Sequence, residues 1–370
     1  MNIVFRADSG LSVGSGHLVR CLTLAQRFKA RGATIRFIGR DLPGAQHALV
    51  EQAGFGFDLL SQEQGDAEAC GALLANDRID VLIVDNYALD ADWEQRFRGR
   101  VGCLAVIDDM ANRRHDCDVL IDQNFHVDAA ARYAGLLPDD AQTLFGPHYA
   151  LLRPEFAAAR ATTAPRQGKL ERVVVFYTGG DDQGETMKAL AGLAAWRSSF
   201  ATASLAVDTV VGAAHPQRSD VEEFCRRYGW RCHCQIDYMA RLMAQADLVL
   251  GAGSSASWER CAVGAPALVT ILSDNQAELT AALAEQGAIR SLGWAHTLRS
   301  DDYAEALAAL NEQALTAMSE RAWSLVDGNG SERVCQALTD RLNLSSLSLA
   351  GEEGAFAAPT KAAKNTETGV

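Results

Sequence analysis

The chain has 370 residues, a net charge of −13, 48% hydrophobic residues and 22% charged ones. The length exceeds one ordinary core and predicts two domains, and the composition is that of a globular protein. The acidic balance excludes general binding to nucleic acid or an anionic membrane, so a phosphate-bearing ligand must be held by a local site.

The N-terminal MNIVFRAD has no basic segment leading into a long apolar run. No later stretch reaches the roughly 18 uncharged apolar residues of a membrane helix. No membrane insertion and a cytoplasmic location are expected. IVF (3–5), TIRFIG (34–39), FDLL (57–60), DVLIVD (80–85), CLAVID (103–108) and DVLID (118–122) read as strands. Several are apolar throughout, as buried parallel strands tend to be. Between the first two, Leu18, Cys21, Leu22 and Ala25 recur at i, i+3, i+4 and i+7, predicting a helix that Gly32 stops.

The second half repeats this plan. RVVVFYTGG (172–180) is a strand and a glycine loop, and QGETMKALAGLAAW follows as a helix. LAVDTVVG (205–212), ADLVLGAG (246–253) and APALVTIL (265–272) are further strands. The fold class predicted is α/β, with two Rossmann-like domains of mostly parallel sheet facing across a cleft. Residues 1–158 are expected to form the N-terminal domain, 159–169 the linker interrupted by Pro165 and Gly168, and 170–343 the C-terminal domain. The last helix is expected near 331–343, and 344–370, lacking period and bulk, read as a disordered tail.

Nine cysteines are scattered from Cys21 to Cys335. Their one close cluster, Cys225, Cys232, His233 and Cys234, lacks a second paired knuckle and is not zinc spacing. Reduced structural thiols are expected, with no metal.

Three glycine loops stand at the carboxyl ends of predicted strands, where open α/β sheets place ligands: Gly14-Ser15-Gly16-His17, Gly179-Gly180-Asp181-Asp182 and Gly251-Ala252-Gly253-Ser254-Ser255. Any one of them could be a tight turn. Three in two facing domains point to a nucleotide or sugar nucleotide. A dinucleotide fingerprint does not fit, because Val19 follows Gly14-Ser15-Gly16 and the glycines begin well past the strand end. His17, at a helix N-terminus that favours neutral imidazole, is a candidate general base or a loop cap. The acids at strand ends, in Asp85-Asn86-Tyr87, Asp108-Asp109 and Asp122-Gln123-Asn124, read as helix caps or as ligands for sugar hydroxyls. Glu259, one turn into a helix, could accept both ribose hydroxyls or close a capping box with Ser255 or Ser257. Asp274-Asn275-Gln276 either caps the next helix or reaches the cleft.

Taken together, RADSGLSVGSGHLVRCLTLA, GPHYALLRPEF, YTGGDDQG and GAGSSASWERCAVGAPALVTILSDNQ resemble the UDP-2,4-diacetamido-2,4,6-trideoxy-β-L-altropyranose hydrolases of pseudaminic acid biosynthesis. The resemblance runs in order over roughly residues 1 to 340 and implies the GT-B arrangement of the glycosyltransferase that completes lipid II. It implies hydrolysis of a UDP-sugar to UDP and the free 2,4-diacetamido-2,4,6-trideoxy-L-altrose, which a later step would condense with phosphoenolpyruvate for flagellin glycosylation or a surface polysaccharide. The family's essential histidine falls on His17, as the base for inverting water attack. Arg6, Asp8, Gly14 and Gly16 of the same motif are expected to contact substrate, with Tyr87 near the sugar. Gly179, Gly180, Asp181, Gly253, Ser254 and Ser255 are expected around the diphosphate, Glu259 at the ribose and Asn275 at the substrate. Asp181 stands where lipid-II-type enzymes commonly have serine. No cofactor or metal is implied, and a monomer is the expected state. The alternatives are a glycosyltransferase with an alcohol in place of water, an epimerase, and a UDP-sugar-binding module without turnover.

Overall fold

A computed structural model describes residues 1–11, 13–200 and 205–354, with the side chains of Phe200 and 344–354 left aside. Strand β1 (Asn2–Ala7) lies inside a seven-stranded sheet with β2 (Thr34–Gly39), β3 (Gly56–Leu59), β4 (Ile79–Asp85), β5 (Val101–Ile107), β6 (Val119–Asp122) and β7 (Gln142–Phe145). The order is β3-β2-β1-β4-β5-β6-β7 and every pairing is parallel. A second parallel sheet takes β8 (Arg172–Phe176), β9 (Ala206–Val211), β10 (Arg231–Cys234), β11 (Leu248–Ala252), β12 (Ala267–Ile271) and β13 (Arg290–Trp294) in the order β10-β9-β8-β11-β12-β13. Each sheet therefore reverses its winding between its first and fourth strands. Loops from those strands diverge at the carboxyl edge and leave a crevice there.

Alternation along each strand supplies two buried faces. Ile3 and Phe5 of β1, with Val81 and Ile83 of β4, pack beneath Leu18, Cys21, Leu22 and Ala25 of the helix Gly16–Ala30, whereas Val4, Leu82 and Val84 face Trp93 and Phe97 on the other side. Burying one such aliphatic side chain contributes about 1.5–3 kcal/mol. The strands predicted from apolar runs are all present. The sheet edges β7, β10 and β13 carried no such run, because an edge is covered on fewer sides and tolerates QTLF, RCHC and RSLGW. The CHC cluster thus sits on an edge strand, and all nine cysteines are free thiols.

The chain crosses between the sheets twice. The helix Pro154–Ala161 buries Phe156 in the core of the second sheet. The final helix, Gly330–Gly354, returns to the first sheet, where Val334, Cys335 and Leu338 join the core beside Leu18 and Phe28. Gly102 on β5 makes room for it, since a Cβ there would stand 2.6 Å from Leu342. The expected bounds place residues up to 343 in the second domain and 344–370 in a tail. The helix instead runs on to Gly354, and 355–370 lie outside the described residues. Its apolar stripe predicts a helix but not which sheet covers it. Among the described residues no helix is long and apolar enough to cross a membrane.

Candidate active site between the two sheets

His17 enters the cleft because its loop leaves β1 and its helix begins at Gly16. Its ring is 7% exposed, and Nδ1 lies 2.6 Å from Oδ1 of Asp85, the last residue of β4. One helical turn on, Arg20 donates from Nε and Nη2 to the two oxygens of Asp85, each at 2.6 Å, and Cys21 Sγ lies 3.6 Å from the same carboxylate. The i, i+3, i+4 spacing of His17, Arg20 and Cys21 puts all three over that strand end. Burial alone would raise the Asp85 pKa, but the Arg20 charge and then His17 hold it well below the usual carboxylate range. An ionised Asp85 is an acceptor for an Nδ1 proton, and the tautomer that carries its proton there keeps a lone pair on Nε2; Arg20 Nη2 also lies 3.2 Å from Nδ1.

A second carboxylate extends the network. Arg20 Nη1 reaches Asp109 Oδ2 at 3.3 Å, and the Tyr87 hydroxyl donates to Asp109 Oδ1 at 2.6 Å. The rings of His17 and Tyr87 meet edge to face with centroids 4.5 Å apart. Burial pushes the Tyr87 phenol well above its ordinary pKa, Asp109 adding to this and Arg20 offsetting part of it, so it remains a hydrogen-bond donor.

Arg6 and Asp8, both expected at the substrate, are paired with each other. Arg6, 1% exposed, spends its guanidinium on Asp8, at 2.6 and 3.0 Å, and on Asp66, at 2.6 and 3.1 Å. Asp8 also accepts from the Arg40 backbone N–H at 2.8 Å and from Asn86 Nδ2 at 2.7 Å. The pair braces the ends of β1, β2 and β4, with four guanidinium hydrogen bonds made inside the protein. Gly10 and Gly14 exchange backbone hydrogen bonds of 3.2 and 2.7 Å, closing a turn in which Gly14 has φ +79°. No heavy atom lies within 4 Å of a Cβ built on Gly14 or Gly16.

On the second sheet, Gly179 presses against Gly212, where an added Cβ would come 1.8 Å from the Gly179 carbonyl oxygen. Gly180 donates to Thr178 Oγ1 at 3.3 Å. Asp181 is exposed and its carboxylate accepts from the Gln183 N–H at 2.8 Å, closing a local turn. Its buried neighbour Asp182 accepts from the N–H groups of Gly184, at 3.0 Å, and Thr186, at 2.8 Å, starting the helix Glu185–Phe200. Gly251 and Gly253 are sterically required: a Cβ would stand 2.4 Å from the Phe176 carbonyl oxygen and 2.0 Å from Thr280 Oγ1. Ser254 Oγ accepts from the Ala256 N–H at 3.4 Å. Asn275 is exposed in the turn after β12, its Oδ1 accepting from Ser273 at 2.6 Å.

A cavity joins the two halves. Gly16, Arg20 and Gln123 line it from the first sheet, and Ser255, Trp258 and Glu259 from the second. Arg153, from the crossing segment, lies between them with Nη2 3.4 Å from Glu259 Oε1 and Nη1 2.8 Å from Glu155. Burial raises the Glu259 pKa against the opposing Arg153 charge. Of the expected residues, Gly16, Ser255 and Glu259 share this cavity, and His17 and Tyr87 lie beside its Arg20 wall. Sequence reasoning did not single out Arg20 or Arg153. The first was readable from its helical spacing to His17, and the second stood within GPHYALLRPEF. Among the described residues no group of three or more His, Cys, Asp and Glu side chains is arranged to hold a metal ion.

No protein-family model matches the chain. Over 156 residues, 42% of the chain, it is 29% identical to the UDP-2,4-diacetamido-2,4,6-trideoxy-beta-L-altropyranose hydrolase of Campylobacter jejuni, a match covering 53%, about half, of that protein. Over 345 residues it is 23% identical to the spore coat polysaccharide biosynthesis protein SpsG of Bacillus subtilis, covering 92% of this chain and 98% of SpsG. Among solved structures, MurG of Acinetobacter baumannii superposes with a TM-score of 0.63 at 12% identity, over 92% of this chain and 99% of MurG. The fold is GT-B, and in sequence the chain is similar to the altropyranose hydrolase and to SpsG.

Proposed function

We propose that the chain hydrolyses a UDP-sugar, UDP-2,4-diacetamido-2,4,6-trideoxy-β-L-altropyranose, to UDP and the free sugar. The observation that carries this reading is the His17–Asp85 pair, 2.6 Å apart at the edge of a cleft whose opposite wall holds Ser255 and Glu259. The backbone N–H groups of Gly179, Ser254 and Ser255 bind the diphosphate, those of Gly180 and Gly253 being held by Thr178 and Thr270, and Glu259 takes the ribose hydroxyls. His17 Nε2 accepts a proton from water as its oxygen attacks the anomeric carbon. The C1–O bond breaks with inversion, its electron pair leaving on UDP with both phosphates, and His17 then releases its proton to solvent. Preorganised loop amides stabilise the departing charge. The chain acts as a cytoplasmic monomer in this account.

A proton and phosphorus NMR time course with this substrate tests the reading. Free UDP and the free sugar in equal amounts support it. A UDP-sugar epimer would indicate epimerisation instead, and turnover only after an alcohol is added would indicate transfer. Transfer is favoured by one feature, the exposed apolar side chains Leu11 (85% exposed), Val13 (39%) and Val19 (38%) on the loop and helix that carry His17, which a lipid-linked acceptor could cover.

Glu259→Gln is expected to weaken UDP binding by about 10- to 100-fold, the loss of a charge-assisted hydrogen bond of about 1.5–3 kcal/mol. Calorimetry with UDP and with 2′-deoxy-UDP checks this, because the penalty shrinks when the 2′-hydroxyl is missing. An equal penalty for both nucleotides would remove Glu259 from the ribose site.

A further inference from the structure

Beneath the Gly251–Ser255 loop lies a buried cation that makes no salt bridge among the described residues, the Glu259 charge acting on it without direct contact. Arg260, on the helix Ala256–Ala262, is 1% exposed. Its Nη2 donates to the Ala252 carbonyl at 3.0 Å and to Ser257 Oγ at 2.8 Å, but Nε and Nη1 have no partner. The neighbouring carboxylate, Glu259, is turned to Arg153 instead. A Cβ on Gly251 would stand 3.2 Å from Nη1, so the guanidinium lies directly against the start of the loop.

Two further unpartnered donors flank the same loop. Thr280 Oγ1 is buried against Gly253, and Trp258 Nε1 belongs to a side chain that lines the cleft cavity. Buried polar atoms are nearly always hydrogen-bonded, and an isolated buried charge is costlier still. Burial lowers the Arg260 pKa to about 10, which leaves it charged at neutral pH. Through a low-dielectric interior its field reaches the loop with little screening.

We propose that Arg260 is a positioning residue for the nucleotide diphosphate, the fixed countercharge beneath the Gly251–Ser255 loop that draws the phosphates onto the loop amides and favours the departing UDP. The proposal rests on the UDP-sugar reading above. It also accounts for how an acidic chain holds a diphosphate on a loop that itself carries no lysine or arginine.

Calorimetric titration of wild type, Arg260→Met and Arg260→Lys with UDP and with uridine provides the test, alongside the melting temperature of each ligand-free protein. The expected result is that Arg260→Met weakens UDP by about tenfold or more while uridine affinity stays within about twofold. Arg260→Lys should recover most of the loss, and ligand-free Arg260→Met should melt no lower than wild type because a strained charge has gone. Equal losses for UDP and uridine, or UDP affinity unchanged in Arg260→Met, would overturn the proposal. If Arg260→Met does not fold, Arg260→Lys decides: UDP affinity within about threefold of wild type supports the charge, and parallel loss of UDP and uridine overturns it. Wild type that binds no UDP would overturn the UDP-sugar reading itself.

Discussion

His17→Asn is expected to lower kcat by about 10²–10⁴-fold, the usual contribution of a positioned general base. UDP affinity should stay within about threefold, because the loops proposed for the nucleotide belong to the other sheet. Asparagine keeps a donor toward Asp85, 2.6 Å from Nδ1 in the native protein, and removes only the basic nitrogen facing the cleft. Steady-state kinetics with a parallel UDP titration separates the two effects. Turnover close to wild type would remove His17 from the mechanism, and parallel loss of UDP binding would make it a structural residue of the cleft.

Asp85→Asn is expected to damage both catalysis and stability. The carboxylate fixes which nitrogen of His17 carries the proton, so an amide in its place frees the wrong tautomer and should lower kcat by about 10²–10⁴-fold. It also leaves Arg20, 8% exposed, without the buried partner that binds it twice, a loss of about 3–5 kcal/mol. The native Asp85 pKa is held below its unfolded value of about 3.9, so its contribution is present above about pH 4 and falls away as the pH drops toward the native pKa. Urea unfolding at neutral pH and at about pH 3 should show wild type losing stability in acid, and Asp85→Asn losing less of it. An identical acid loss in both proteins would mean that Asp85 is not ionised in the folded chain.

The parts of the fold legible in sequence are those whose physics is local. Val81 to Val84 read as a strand because both faces of β4 are buried, and Leu18 to Ala25 read as a helix because one face is. Loops were legible where backbone approach excludes a side chain, as at Gly251 and Gly253. What escaped depends on distant partners. β10 and β13 lie at a sheet edge with mixed exposure, and the stripe of Val334 and Leu338 had two sheets on which to land. In the site, His17 stood out by its motif, but Asp85 looked the same as any acid capping a helix until β4 was placed beside β1. Arg6 shows the converse: it belongs to the same motif as His17, yet Asp8 and Asp66 take up its charge. Motif membership does not show which side chains are already paired within the protein.

Hydrolysis of UDP-2,4-diacetamido-2,4,6-trideoxy-β-L-altropyranose in water enriched in oxygen-18, followed by mass and NMR analysis of both products, tests the central claim most directly. Attack by a His17-activated water at the anomeric carbon predicts label at C1 of the free sugar and unlabelled UDP. Label in the UDP would place the attack at phosphorus and contradict the account.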